Sequence, residues 1–201
     1  RENRNTRPVV IEDFSFYQPS QGAPATFIAT PVFDSNNAFV GVVAAQLSSD
    51  LLNSIVTKDA DWTSIGLAET GDIYVVGNDG LYRTTSRVFE ENRERFFDLS
   101  AKKGTDQVLI DRMKAFETPI LLPRTLSADD AKRDKSLRTI VRENALGTLV
   151  RSHTLPLKIG GLDWITVAEM SVEEANQPAA AFQRVMMLVL AITITITTIV
   201  A

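Results

Sequence analysis

The residues able to do chemistry are few, and their types exclude most catalysis. The chain has one histidine and no cysteine in 201 residues. Without cysteine there is no disulfide, thiol nucleophile or thiolate metal site. With a single histidine, neither a Cys/His dyad nor an all-protein zinc site can be assembled. That histidine stands in Ser152-His153-Thr154, a base beside hydroxyls. Neighbours on a strand point to opposite faces, so Ser152 and His153 are not a preformed pair. His153 is either a satisfied sheet residue or a residue lining a pocket. No Gly-Lys-Ser/Thr phosphate loop or Gly-x-Gly-x-x-Gly turn occurs, and residues 77–80 lack the acidic spacing of an EF-hand. No cofactor, no metal and no enzymatic activity are expected of this stretch.

Binding chemistry is better represented. Tyr74, Tyr82, Arg83 and Arg87 gather about one turn, and an arginine beside aromatic rings can clamp a carboxylate bidentately. The alternative is an arginine tying that turn to the next helix through Glu90, Glu91 or Glu94. Phe16, Tyr17 and Phe27 either wall a second pocket or serve as plain core. The expected partner is a small molecule, with a carboxylate the candidate class. A net charge of −4 without a basic run argues against nucleic acid.

The elements that must position these residues read as α+β with antiparallel hairpins. Strands are expected at 9–17, 26–31 and 39–44, then a helix at 50–58 with Leu51, Leu52 and Ile55 on one face. Asn78-Asp79-Gly80 predicts a hairpin between strands at 72–77 and 81–85. Amphipathic helices follow at 89–103 and 106–116, broken at Gly104, with irregular backbone at Pro119 and Pro123. Ser127 with Asp130 opens a further helix running to about Gly147, and a strand follows at 148–155.

One phrase is written twice. Thr30-Pro31-Val32, a polar turn, a strand and Ala45-Gln46-Leu47-Ser48 match Leu155-Pro156-Leu157, a Gly160-Gly161 turn, a strand and Ala168-Glu169-Met170-Ser171. The span from Pro31 to Ser48 exceeds that from Pro156 to Ser171 by two positions, and an even difference keeps the strand faces in phase. Each copy is a hairpin handing over to a helix capped by serine. The second helix meets a run of 17 uncharged residues, 185–201, flanked by Arg184. At about 1.5 Å per residue that is roughly 25 Å, close to a bilayer core, and it predicts a membrane helix over 183–201. Pro178 is expected to kink or restart that helix.

Residues 29–34 with Phe39-Val40-Gly41-Val42-Val43 resemble the closing hairpin of the membrane-distal lobe of double Cache (PDC-like) sensor domains. Glu69-Thr70-Gly71-Asp72-Ile73-Tyr74, running on to Asp79-Gly80-Leu81, looks like the start of the membrane-proximal lobe. Leu155-Pro156-Leu157, Gly161-Leu162-Asp163-Trp164 and Ala168-Glu169-Met170 look like its closing hairpin. The resemblance implies a distal lobe ending in 1–61, a proximal lobe at 62–182 and a truncated membrane helix at 183–201. It implies a ligand-sensing region of a bacterial inner-membrane receptor, homodimeric, with residues 1–184 extracytoplasmic. The output would be an adenylate or guanylate cyclase, ahead of a chemotaxis receptor or a histidine kinase. The anchoring carboxylate of amino-acid-binding members is matched here by Gln46, whose neutral amide cannot supply a charge-assisted bond to an ammonium. Two other classes are a membrane-anchored structural or adhesion domain and an extracytoplasmic hydrolase.

Overall fold

The computed structural model describes residues 8–124 and 139–200. Beyond Pro178 the side chains described are Phe182, Gln183, residues 185–190 and Ile192. A first antiparallel sheet has the order β1 (Val10–Tyr17), β2 (Ala23–Phe33), β3 (Phe39–Leu47). Its β2–β3 turn is closed by Asp34, whose Oδ1 accepts from the amides of Asn36 and Ala38. Ser48 then caps α1 (Ser49–Thr57), its hydroxyl accepting from the Asp50 amide. The inward face of α1 is Leu52 and Val56, while Leu51 and Ile55 are exposed. This corrects the expected face in part: Leu52 lies inward as expected, but its i, i+4 partner there is Val56, and Leu51 and Ile55 point to solvent.

The second sheet runs β4 (Asp72–Gly77), β7 (Leu162–Ser171), β6 (Leu149–Ile159), β5 (Ile140–Glu143), all antiparallel. Alternation sends Tyr74, Val76, Ile165 and Val167 to one face, where they pack on α2 (Arg87–Glu91), α3 (Arg93–Lys102) and α4 (Gln107–Ala115) through Phe89, Phe96, Ile110 and Met113. Val75 and Trp164 face the other way, onto Phe14 of β1, Ile120 and α1. The second sheet is therefore covered on one side by helices and on the other by the first sheet and its helix.

Both copies of the repeated phrase are hairpins, β2–β3 and β6–β7, and each enters a serine-capped helix. Helix α5 (Val172–Val200) continues through Pro178 without interruption, so the expected restart does not occur.

Two further expectations are corrected. Residues 81–85 form no full strand: the Tyr82 amide turns to the Leu122 carbonyl, and the Thr84 hydroxyl takes the Val75 amide. That leaves β4 to pair with β7. The Ser127 helix falls at its start outside the described residues, and its expected end is strand β5 followed by a turn. β-Branched Thr139, Ile140 and Val141 favour extension, while Asn144 Oδ1 closes the turn on the amides of Leu146 and Thr148. Among the described residues no helix is long and apolar enough to cross a membrane; the expected span over 183–201 includes positions whose side chains lie outside the described residues.

Candidate functional site

The inner face of the second sheet carries a polar row inside an otherwise apolar surface. Asp72, Glu169 and Ser152 are direct cross-strand partners on β4, β7 and β6, so their side chains share one face. All three are buried, as are Tyr74 and Thr154 one rung along. Two arginines close over the row. Arg124, from the irregular segment after Pro123, donates from Nη2 to Glu169 Oε1 at 2.8 Å and to Ser152 Oγ at 3.4 Å. Arg142, on β5, lies with Nε 3.4 Å from the same Glu169 oxygen and donates from Nη2 to the Ser152 hydroxyl. The Arg124 guanidinium also sits over the Tyr74 ring, 5.3 Å from its centroid.

Burial sets the electrostatics here. It pushes the Asp72 carboxyl up to about 7, against backbone amides of Arg87 and Val88 that favour the charged form and with Glu169 adding repulsion. Burial likewise raises the Tyr74 and Tyr82 hydroxyls, so both rings stay protonated. Burial pulls the other way on Arg124, but the Glu169 carboxylate bonded to it keeps the guanidinium charged. The result is a water-poor face that presents guanidinium forks and hydroxyl donors. Such a donor set suits a carboxylate or similar planar anion.

The sequence candidates separate around this row. Tyr74 and Tyr82 are brought together at 5.2 Å between ring centroids and belong to the helix-facing core. Arg83 points away from them: Nε and Nη2 donate to Asp13 of β1 at 2.7 and 2.9 Å, and Nη2 to Asp79 at 2.7 Å. Asp13 also accepts from Trp164 Nε1 at 3.1 Å. Arg83 thus ties the two sheets together. Arg87 pairs with Glu91 at 2.7 Å, one of the glutamates foreseen for it, and donates to the Ala68 and Gly71 carbonyls. His153 lies on the exposed face of β6, Nδ1 3.3 Å from the Thr139 hydroxyl, opposite buried Ser152. It does not join the row.

In the first sheet Tyr17 and Phe27 meet edge to face at 4.8 Å, and Phe27 is the register partner of Gln46. Gln46 is exposed and accepts from the Ser20 hydroxyl at 3.4 Å. Phe16 lies apart, its ring under Arg112 at 4.5 Å.

Sequence inspection missed Asp72, Arg124, Arg142, Ser152 and Glu169 as a group. A signal was present: β6 alternates buried Val150, Ser152 and Thr154 with exposed Arg151 and His153. A charge such as Glu169 on the apolar side of a strand is unusual enough to mark a site.

The row abuts the start of α5. Ser171 Oγ accepts from the Glu174 amide at 3.1 Å, the helix-capping bond anticipated by the spacing. The Glu174 carboxylate accepts from the amides of Glu69 and Thr70 at 2.8 and 2.7 Å and from the Thr70 hydroxyl, while Thr70 Oγ1 in turn takes the Ser171 amide at 3.0 Å. These hydrogen bonds hold Glu174 below the usual carboxylate range and latch the start of α5 to the segment entering β4.

No family model and no curated protein matches the sequence. Among solved structures, the periplasmic sensory domain of the Campylobacter jejuni chemoreceptor Tlp1 is similar at 14% identity and TM-score 0.48, covering 89% of this chain and 54% of that one. The ligand-binding domain of the Pseudomonas aeruginosa amino acid chemoreceptor PctB, in complex with L-Arg, is similar at 15% identity and TM-score 0.46, covering 85% and 57%. An extracellular ligand binding receptor from Desulfohalobium retbaense is similar at 14% and 0.47, covering 83% and 23%. The chain therefore spans from about a quarter to just over half of their lengths. At TM-scores below 0.5 they set neither family nor ligand, and the chemistry of the site comes from its own side chains.

Proposed function

We propose that this chain is the ligand-sensing extracytoplasmic region of a bacterial transmembrane signalling receptor of the double Cache type. The observation that carries the proposal is the placement of the polar row. Glu169, held by Arg124 and Arg142, sits near the end of strand β7, and β7 passes without a linker into α5. A ligand competing for those guanidinium groups must act on the strand that starts the exit helix. The ligand class that fits two guanidinium forks and hydroxyl donors is a small carboxylate.

The remaining parts follow in the same frame. Residues 1–61, with the first sheet, form the end of the membrane-distal lobe, and 62–182 form the proximal lobe. Residues 183–201 enter the membrane. On α5 the consecutive side chains 185–190 are all apolar and all exposed; consecutive positions cover every face of a helix, which suits lipid better than one packed surface. The output is a cyclase ahead of a chemotaxis receptor or kinase, and the working unit is a homodimer. Free α-amino acids are not the ligand of the distal lobe, because Gln46 offers an amide where an ammonium needs a carboxylate.

Calorimetric titration of the full chain with acetate, succinate and citrate tests the site. At least one binds with one-to-one stoichiometry, and Arg124→Lys weakens it about tenfold or more because the planar fork is lost. Absence of binding by all three, or binding indifferent to Arg124→Lys, refutes it. A Gly-Gly-Ser insertion between Gln183 and Arg184 then tests the relay: affinity stays and output is lost, whereas unchanged signalling reduces α5 to an anchor.

A further inference from the structure

A cavity of about 370 Å³ opens between the first sheet with its helix and the α2–α4 layer, with no residue of the polar row in its lining. Pro24 of β2 and Asp50 and Asn53 of α1 form one wall. Thr85, Glu90 and Arg93, with Phe116, Glu117 and Ile120 after α4, form the other. A second opening of about 220 Å³ shares Asp50, Asn53, Thr85 and Glu90 and extends the first toward Asp59. The larger cavity alone has room for about twelve waters at ~30 Å³ each, within the range of small-ligand sites.

Its lining decides what would enter. Three carboxylates, Asp50, Glu90 and Glu117, face the single guanidinium of Arg93. Arg93 is already engaged with two of them, at 2.8 Å to Glu90 and 3.1 Å to Glu117, and lies over the Phe89 ring. The surplus is negative, and Asp59 in the extension adds to it. An anion would be repelled there, whereas an ammonium or guanidinium gains charge-assisted bonds. Phe116, Ile120 and Pro24 supply an apolar floor for a short carbon chain, and an aromatic ring beside carboxylates is itself suited to an organic cation.

We infer that this cavity between α1 and the α2–α4 layer binds a small organic cation, at a site separate from the carboxylate-binding row. Because its walls come from both substructures, occupancy clamps the first sheet against the second and so favours one relative placement of the two.

The test is calorimetric titration of the full chain with 1,4-diaminobutane at low salt, with succinate as the anionic control. One-to-one binding is expected, weakened about tenfold or more by either Asp50→Asn or Glu117→Gln, as the loss of a charge-assisted bond requires. Glu94→Gln neutralises an exposed carboxylate outside the cavity and leaves binding unchanged. Both cavity carboxylates are exposed, so the variants keep the wild-type unfolding midpoint; should Glu117→Gln lose it with its Arg93 contact, Asp50→Asn alone decides. No binding up to about 10 mM overturns the inference. So does equal weakening by Glu94→Gln, which would signify diffuse surface charge. An unaffected Asp50→Asn overturns it as well. The amine titration leaves Arg124 intact, so its failure is distinguishable from a failure of carboxylate binding.

Discussion

Removing the Asp13 carboxylate should loosen the joint between the two sheets by an amount the structure fixes. Asp13 accepts from Arg83 Nε and Nη2, from Trp164 Nε1 and from the Phe14 amide. Burial alone would raise its pKa, but Arg83 and the other donors outweigh burial and hold it below the usual carboxylate range. In Asp13→Ala the Arg83 guanidinium stays buried at 3% exposure and keeps Asp79 and the Leu81 carbonyl. Breaking a fully buried pair costs about 3–5 kcal/mol. Asp13 is one-third exposed, at 34%, and Arg83 keeps a second carboxylate, so about 2–3 kcal/mol is expected here. Urea unfolding followed by tryptophan fluorescence measures it, with Trp164 also reporting the lost Nε1 bond. Removing both partners, in Asp13→Ala with Arg83→Met, should return the loss to about 1 kcal/mol, since no buried charge is then stranded. A loss below about 0.5 kcal/mol in Asp13→Ala, the range of an ordinary surface change, would refute the joint.

Asp72 makes stability fall with rising pH. Its folded pKa of about 7 lies above the ordinary 3.8, so the folded state holds the proton more tightly. Its contribution is complete below the unfolded pKa and is lost as pH rises through 7. Wild type should lose on the order of a few kcal/mol between about pH 5 and pH 8, and Asp72→Asn should lose much less; equal pH profiles would contradict this. Glu174→Ala should raise hydrogen exchange at the Glu69 and Thr70 amides about tenfold or more, and unchanged exchange would mean the latch holds nothing. Gly77→Ala should cost about 1–3 kcal/mol, because a β-carbon there would meet Arg83 Cζ and Asp79 Oδ1 at 2.6 Å; a neutral result would show that Arg83 can move aside.

Local chemistry was legible where one residue decides the backbone. Ser48 and Ser171 announced their helices, Asp34 and Gly160-Gly161 their turns, and the repeated phrase its two hairpins. Gly104, at φ +90, ended α3 as its position implied. Elements failed where partners far along the chain decide. Residues 81–85 have the composition of a strand, but Leu122 and the Thr84 hydroxyl take the backbone bonds a strand would need. The break at Asn92 between α2 and α3 has no proline or glycine to signal it. The site divides in the same way. Tyr74 and Tyr82 stood out in the sequence beside a visible turn, and the structure packs both into the helix-facing core. Arg124 and Arg142 were not, because only the stacking of β4, β7, β6 and β5 brings them to Glu169. Arg83 illustrates the converse: its neighbours in sequence are tyrosines, yet its partner Asp13 lies seventy positions away.

Fluorine NMR of 5-fluorotryptophan-labelled full chain tests the central claim most directly. Trp62 and Trp164 are the only tryptophans, so Trp62→Phe assigns the resonance of Trp164, which lies on β7 between the inter-sheet joint and the polar row. During titration with acetate, succinate and citrate, the carboxylate that binds should shift the Trp164 resonance saturably, and Arg124→Lys should abolish the shift at the same concentrations. A Trp164 resonance that no carboxylate moves, or that moves equally in Arg124→Lys, would contradict a carboxylate site coupled through β7 to the exit helix.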